Sequence, residues 1–142
     1  MKRFDALLED EVAGYEGEFG PIIRLAPAFY RMMTRLLGDR ELPRRMSPLV
    51  IAAIAYFILP ADVIPEERLG AAGYVDDIYL CAFVANEVMQ AAGSQEIVTR
   101  NWDGETPVVA LIRDILGRES ELIGSKKGQI MRYIGYDQLE RL

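Results

Sequence analysis

The sequence predicts an all-α fold, a small helical bundle built around a central apolar helical hairpin, in a single helical domain over residues 1–142. Apolar residues recur at helical spacing along most of the chain. Glycine and proline interrupt this spacing at positions that suit helix ends. Two strongly apolar segments near the middle are separated by a proline-containing stretch, as expected of two helices that pack side by side. Val108 and Val109 could open a strand, but no other segment offers a partner strand.

The first 45 residues are expected to form amphipathic helices that flank the hairpin. Apolar residues at helical intervals predict a first helix over residues 2–13, with an acidic outer face. Three glycines follow, and Pro21 suits the first turn of a second helix that extends to about residue 37. Pro27 interrupts the pattern, so it either kinks this helix or delays its start. Gly38 is expected to end it.

Residues 46–85 form the predicted hairpin core. Ser47 and Pro48 suit an N-cap and a first helical turn. Residues 49–59 are apolar on every side, which is typical of a helix that is fully buried or faces lipid. A second apolar helix is predicted over residues 73–93, with a glycine at each end. The proline-rich turn between them favours an antiparallel pair.

Residues 94–142 are expected to add shorter flanking helices. Ser94 suits the cap of a helix over about 95–102. Residues 107–117 are predicted to form a compact helix that ends at glycine. One or two short helices are predicted to follow it. Trp102 is expected to pack on the core at a helix end, and Lys126 to lie in a turn exposed to solvent.

The composition excludes several kinds of chemistry. The chain has 22 acidic residues, 16 basic residues, one cysteine and no histidine. It therefore holds no Ser-His-Asp triad, no histidine-ligated zinc and no internal disulfide. Cys81 lies in an apolar run and is expected to be a buried core residue. The net charge of −6 argues against nucleic acid as a partner.

Acidic residues crowd between the two apolar helices, and two interpretations of them compete. Asp76 and Asp77 fall in the first turn of the second helix, where the helix dipole stabilises carboxylates by roughly 0.3–1 kcal/mol. Asp62 suits a turn in which its side chain accepts backbone N–H groups. Alternatively, the carboxylates bind a divalent cation such as Mg²⁺ or Ca²⁺, although their spacing is not that of an EF-hand loop. The ligands of that metal site would be Asp62, Glu66, Asp76 and Asp77.

A membrane surface is a third interpretation of the hairpin. Three arginines, Arg40, Arg44 and Arg45, precede the first apolar helix, as basic residues on the cytoplasmic side of a membrane often do. Against insertion, Pro60 and Asp62 limit the apolar run to about a dozen residues, a length that favours a core helix. The start of the chain lacks the long apolar stretch of a secretory signal. The expected location is therefore the cytoplasm, with the inner face of the cell membrane as an alternative.

The hairpin resembles the YkvA family, a bacterial and archaeal domain of unknown function. That family is marked by Pro-x-Asp-x-x-Pro-Asp and Gly-Tyr-x-Asp-Asp between two apolar helices. The resemblance covers roughly residues 46–85, and Glu66 stands where the family has aspartate. Its members are often described as membrane-associated, so the resemblance implies membrane association but transfers no biochemical activity. The matching residues are Tyr56, Pro60, Asp62, Pro65, Gly73, Tyr74, Asp76 and Asp77.

Together these patterns favour a non-enzymatic helical protein. The apolar hairpin is expected to bind a protein partner, a second copy of the chain in a homo-oligomer, or a membrane surface. The alternative is a divalent-metal-binding enzyme or sensor that uses the acidic turn, because carboxylates are the main acid–base groups that the composition leaves.

Overall fold

The computed structural model describes residues 3–58 and 74–133, and these residues are all-α, as predicted, with no strand among them. Short 3₁₀ turns at Arg44–Met46 and Gly124–Lys126 precede two of the α-helices. The α-helices are α1 (Phe4–Ala13), α2 (Gly20–Ile23), α3 (Ala26–Leu37), α4 (Ser47–Ile58), α5 (Tyr74–Ala92), α6 (Glu96–Arg100), α7 (Val108–Gly117), α8 (Glu119–Leu122) and α9 (Lys127–Tyr133).

Prolines set the helix starts in the first third of the chain. Pro21 lies in the first turn of α2, and Pro27 lies in the first turn of α3. Because proline lacks an N–H and its ring clashes with the preceding turn, Pro27 cannot continue α2. The helix predicted over residues 21–37 is therefore two helices, and Pro27 delays a start instead of kinking one helix. Gly38 follows the last residue of α3, as predicted.

The two apolar helices α4 and α5 pack against each other in an antiparallel pair, as predicted. The end of α4 lies beside the start of α5, since the rings of Phe57 and Tyr74 are 6.1 Å apart. The 3₁₀ turn that precedes α4 also contacts α5. The Tyr30 ring of α3 packs edge-on against Phe57 at 5.7 Å, so α3 completes a three-helix core with this pair.

The helix around which the rest of the fold packs is α5. It contacts α2, α3, α4, α6, α7 and α8, and every residue from Tyr74 to Ala82 is buried. The helix ends where Gly93 adopts a left-handed φ of 71°. There the N–H of Ser94 donates to the Met89 carbonyl at 3.2 Å and the N–H of Gly93 donates to the Gln90 carbonyl at 3.3 Å. This is a Schellman motif, and it explains why the predicted glycine stop is correct.

α4 departs from the prediction in two respects. Ser47 is not an N-cap, because its φ of −55° and ψ of −45° are helical and the 3₁₀ turn runs directly into α4. The helix is also neither wholly buried nor wholly exposed. Its main contacts are with α3 and α5, so one face joins the core while Ile51 and Ile58 on the other are about half exposed.

The last third of the described chain follows the prediction closely. The Ser94 hydroxyl accepts the N–H of Glu96 at 3.1 Å at the start of α6. The ring of Trp102 lies 5.0 Å from that of Phe29, and its indole N–H donates to the Thr106 carbonyl at 2.8 Å. Trp102 is therefore a core-packing residue with a satisfied donor.

We expect the thiol of Cys81 to be unreactive in the folded protein. The residue is fully buried, and burial, reinforced by the nearby Asp77 carboxylate, raises the pKa of Cys81 well above its ordinary value. Labelling with a chromogenic disulfide reagent checks this. Native protein should react only as fast as the core opens, and protein in denaturant should react at once. Rapid stoichiometric labelling of native protein would contradict the expectation.

Candidate functional site

Two of the four predicted site residues lie in the described structure. Asp76 and Asp77 occupy the first turn of α5, as predicted, and both are buried. Asp62 and Glu66 fall outside the described residues. Buried carboxylates are unfavourable unless they are paired or hydrogen-bonded, so their partners determine what this end of α5 can do.

Asp76 pairs with a lysine from the last third of the chain. The Lys126 ammonium donates to Asp76 Oδ1 at 2.8 Å, and the lysine side chain is only 28% exposed. Burial raises the pKa of Asp76, and the hydrogen bond and charge of Lys126 oppose that rise. Lys126 is therefore not the solvent-exposed turn residue that the sequence predicts. Sequence reasoning missed this pairing because nothing local marks two residues so far apart in the chain as neighbours.

A second polar contact fastens the same C-terminal segment to α5. The Tyr79 hydroxyl donates a short hydrogen bond to Glu119 at the start of α8, and the Lys127 ammonium lies 3.0 Å from the same carboxylate. The Tyr79 hydrogen bond, followed by the lysine, holds the pKa of Glu119 below its usual value. These contacts join α5 to α8 and to the turn before α9, so the acidic start of α5 is part of the core packing.

The metal interpretation stays a prediction. In residues 3–58 and 74–133, no group of three or more acidic, cysteine or histidine side chains is placed to hold a metal ion. One oxygen of Asp76 is already bound to Lys126. Asp76 and Asp77 are adjacent on a helix, so their side chains point about 100° apart.

The exposed side of α4 is the second candidate site. Ile51 is 51% exposed and Ile58 is 49% exposed, and Leu37 at the end of α3 is 40% exposed. With intervening residues they surround a shallow depression of about 270 Å³ that no polar side chain lines. We call this surface the apolar face; it consists of Leu37, Ile51, Ile54, Ala55 and Ile58. Isolated exposed apolar residues are ordinary, but a contiguous cluster often marks an interaction surface.

Arginines of the described chain fall into paired and unpaired sets. Arg31 contacts Glu9 and Asp103, each at 2.8 Å, and Arg35 contacts Asp103 at 3.1 Å. These two arginines are therefore paired with neighbouring acids.

The unpaired arginines next to α4 form a different set. Within the described chain no salt bridge or hydrogen bond joins them to an acid, and all of them are exposed. We call this set the basic trio; it consists of Arg40, Arg44 and Arg45.

These observations define, for the described part of the chain, a small all-α bundle with one uncovered apolar helix face. No helix in that part combines the length and the apolar character needed to cross a membrane. A family described as a protein of unknown function (DUF1232) matches residues 48–83. That stretch lies within the predicted hairpin core of 46–85 and supports a domain of unknown function there.

A second comparison extends the similarity to most of the chain. "Uncharacterized protein ORF9" of Methanothermobacter thermautotrophicus is 28% identical over 131 residues, which are 92% of this chain and 89% of that protein. No solved structure matches. The similarity therefore reaches well beyond the hairpin but brings no activity with it.

We expect Lys126→Met to destabilise the protein by about 1–3 kcal/mol, because it leaves a carboxylate in the core without its cation. Adding Asp76→Asn should recover part of this loss. The loss should also shrink as the pH falls, since protonated Asp76 no longer needs Lys126. Urea unfolding of the wild type, both single variants and the double variant measures the coupling. Strictly additive effects at neutral pH would show that the two side chains do not interact.

Proposed function

We propose that the protein is a non-enzymatic peripheral membrane-binding protein that docks through the apolar face. One observation carries the proposal: a cluster of half-exposed apolar side chains on α4 follows, in the chain, arginines that pair with no acid among the described residues. A lipid surface offers both an apolar interior and charged headgroups. The resemblance of the hairpin to the YkvA family, whose members are often described as membrane-associated, adds support.

The shape of the apolar face favours a lipid surface over a peptide. The depression is shallow and has no polar side chain in its lining. A groove that holds a peptide usually places a few polar groups to fix the orientation and register of its ligand. Lipid chains need no such groups.

The energies indicate weak and reversible binding. Burial of the exposed parts of Leu37, Ile51 and Ile58 contributes about 1 kcal/mol each, since full burial of such a side chain contributes about 1.5–3 kcal/mol. The basic trio adds about 1 kcal/mol per arginine near an anionic surface. Neither contribution alone gives useful affinity, whereas their sum corresponds to binding in roughly the micromolar to submillimolar range.

We expect the double variant Ile51→Gln/Ile58→Gln to bind vesicles about 30-fold more weakly than the wild type. The change removes about 2 kcal/mol of apolar burial and leaves the core intact, because both side chains point away from it. Co-sedimentation with vesicles of phosphatidylcholine and phosphatidylglycerol measures the effect. Leu7→Gln is the matched control, since Leu7 is equally exposed, at 50%, but lies on α1.

Other occupants of the apolar face give different results. Equal binding by the wild type and the Ile51→Gln/Ile58→Gln variant would rule out docking through this face. Sedimentation equilibrium without vesicles tests for a second copy. Concentration-dependent dimerisation of the wild type that the double variant lacks would assign the face to a homo-oligomer instead.

The metal-binding alternative has its own test. Calorimetric titration of the full chain with Mg²⁺, Ca²⁺ and Mn²⁺ should show saturable binding if the acidic residues form a site. Asp62→Asn and Asp77→Asn should then weaken it by at least tenfold. If the titration shows no binding, or binding that these substitutions do not change, the protein is not a metal-binding enzyme or sensor that uses these acidic residues.

A further inference from the structure

We propose that the basic trio is an anionic-headgroup site, and that Arg100 creates it by taking up the acids that would otherwise neutralise it. The inference rests on the proposed membrane docking and adds the class of lipid that the protein selects. The anionic ligand is the phosphate-bearing headgroup of a bilayer lipid, because the trio adjoins the apolar face.

Two acids lie among the trio in the sequence, Asp39 and Glu41. An exposed arginine beside two carboxylates would ordinarily lose much of its attraction for an external anion. In the structure both carboxylates are engaged by a residue of α6. Arg100 Nε and Nη2 donate to the two oxygens of Asp39 at 3.0 and 2.8 Å, and Nη2 lies 3.1 Å from Glu41.

Asp39 is held especially firmly. The Asn101 side chain donates to it at 2.9 Å, and the backbone N–H of Glu41 donates at 2.9 Å. The hydrogen bonds from Arg100, followed by that from Asn101, hold the pKa of Asp39 well below its usual range. A carboxylate whose oxygens are satisfied in this way does not turn toward Arg40, so the arginines stay available to solvent.

The trio lies at the N-terminal end of the apolar face. Arg44 and Arg45 form the 3₁₀ turn that runs into α4, and Arg40 follows Leu37 of the apolar face by three positions. Headgroups lie at the edge of the bilayer, so cations at one end of an apolar helix face are placed to contact them. The net charge of −6 opposes binding only weakly, because charges more than about 10 Å away are largely screened at 0.1 M salt.

The test compares two vesicle compositions, phosphatidylcholine alone and phosphatidylcholine mixed with phosphatidylglycerol. The wild type should bind the anionic vesicles at least tenfold more tightly, and Arg44→Gln/Arg45→Gln should reduce that affinity by about 25-fold, at about fivefold for each arginine. Arg113→Gln is the matched control, since Arg113 is an exposed arginine of α7 that pairs with no acid in the described chain. Its affinity should not change.

A variant that is expected to bind more tightly distinguishes an effect of charge at this site from weaker binding caused by loss of structure. Glu41 is exposed, with 74% of its side chain accessible, so Glu41→Gln should leave the fold intact. Arg100 carries one positive charge against the two negative charges of Asp39 and Glu41, so one negative charge remains beside the basic trio. Removing it should strengthen binding to anionic vesicles severalfold and leave binding to phosphatidylcholine unchanged. A merely structural role for this segment would not produce that increase.

Each of the other possible results rejects a specific part of the proposal. If the wild type binds both vesicle types equally, membrane docking stands and headgroup selection fails. An equal loss for Arg113→Gln and for Arg44→Gln/Arg45→Gln would also reject the site, because any surface cation would then suffice. If the wild type binds neither vesicle type, the proposed function itself is wrong.

Discussion

The enclosure of α5 is the constraint on which the rest of the structure depends. Its first half is buried on all sides by helices from both ends of the chain, and an apolar helix of this kind is stable only when every face has a neighbour. Of the α-helices that pack against α5, α3 also packs against α4, whose main neighbours are α3 and α5. The face of α4 that the described residues leave open is therefore a consequence of how the core is completed, and so is the burial of Asp76 and Asp77.

The local architecture was predictable because local chemistry determines it. Pro27, Gly93 and Ser94 act on backbone groups within a few residues of themselves, so their effects on helix ends can be read from neighbouring positions. The all-α class follows from apolar spacing in the same way. Ser47 is the exception, since a 3₁₀ turn extends the helix backward and removes the need for a cap.

What the sequence could not predict is which distant groups meet. Lys126 reaches Asp76 from 50 positions away, and Arg100 reaches Asp39 from 61 positions away. Neither pair has a spacing that helical geometry would bring together. The same limit applies to α4. Its apolar sequence predicts that the helix is at least partly buried, but it does not predict which of its side chains stay exposed. Candidate sites at Asp62 and Glu66 lie outside the described residues and remain sequence predictions.

Arg100 of α6 pairs with Asp39 and Glu41. A residue of one helix therefore affects the net charge of the surface around the basic trio. Arg100 belongs to α6 and not to the apolar face or the basic trio, yet it pairs with the two acids that flank Arg40 in the chain. In an unfolded chain the two acids and the three arginines are simply neighbours, and their charges largely cancel. Only in the folded chain does Arg100 pair with both acids, so a cationic patch on this otherwise acidic protein depends on the docking of α6.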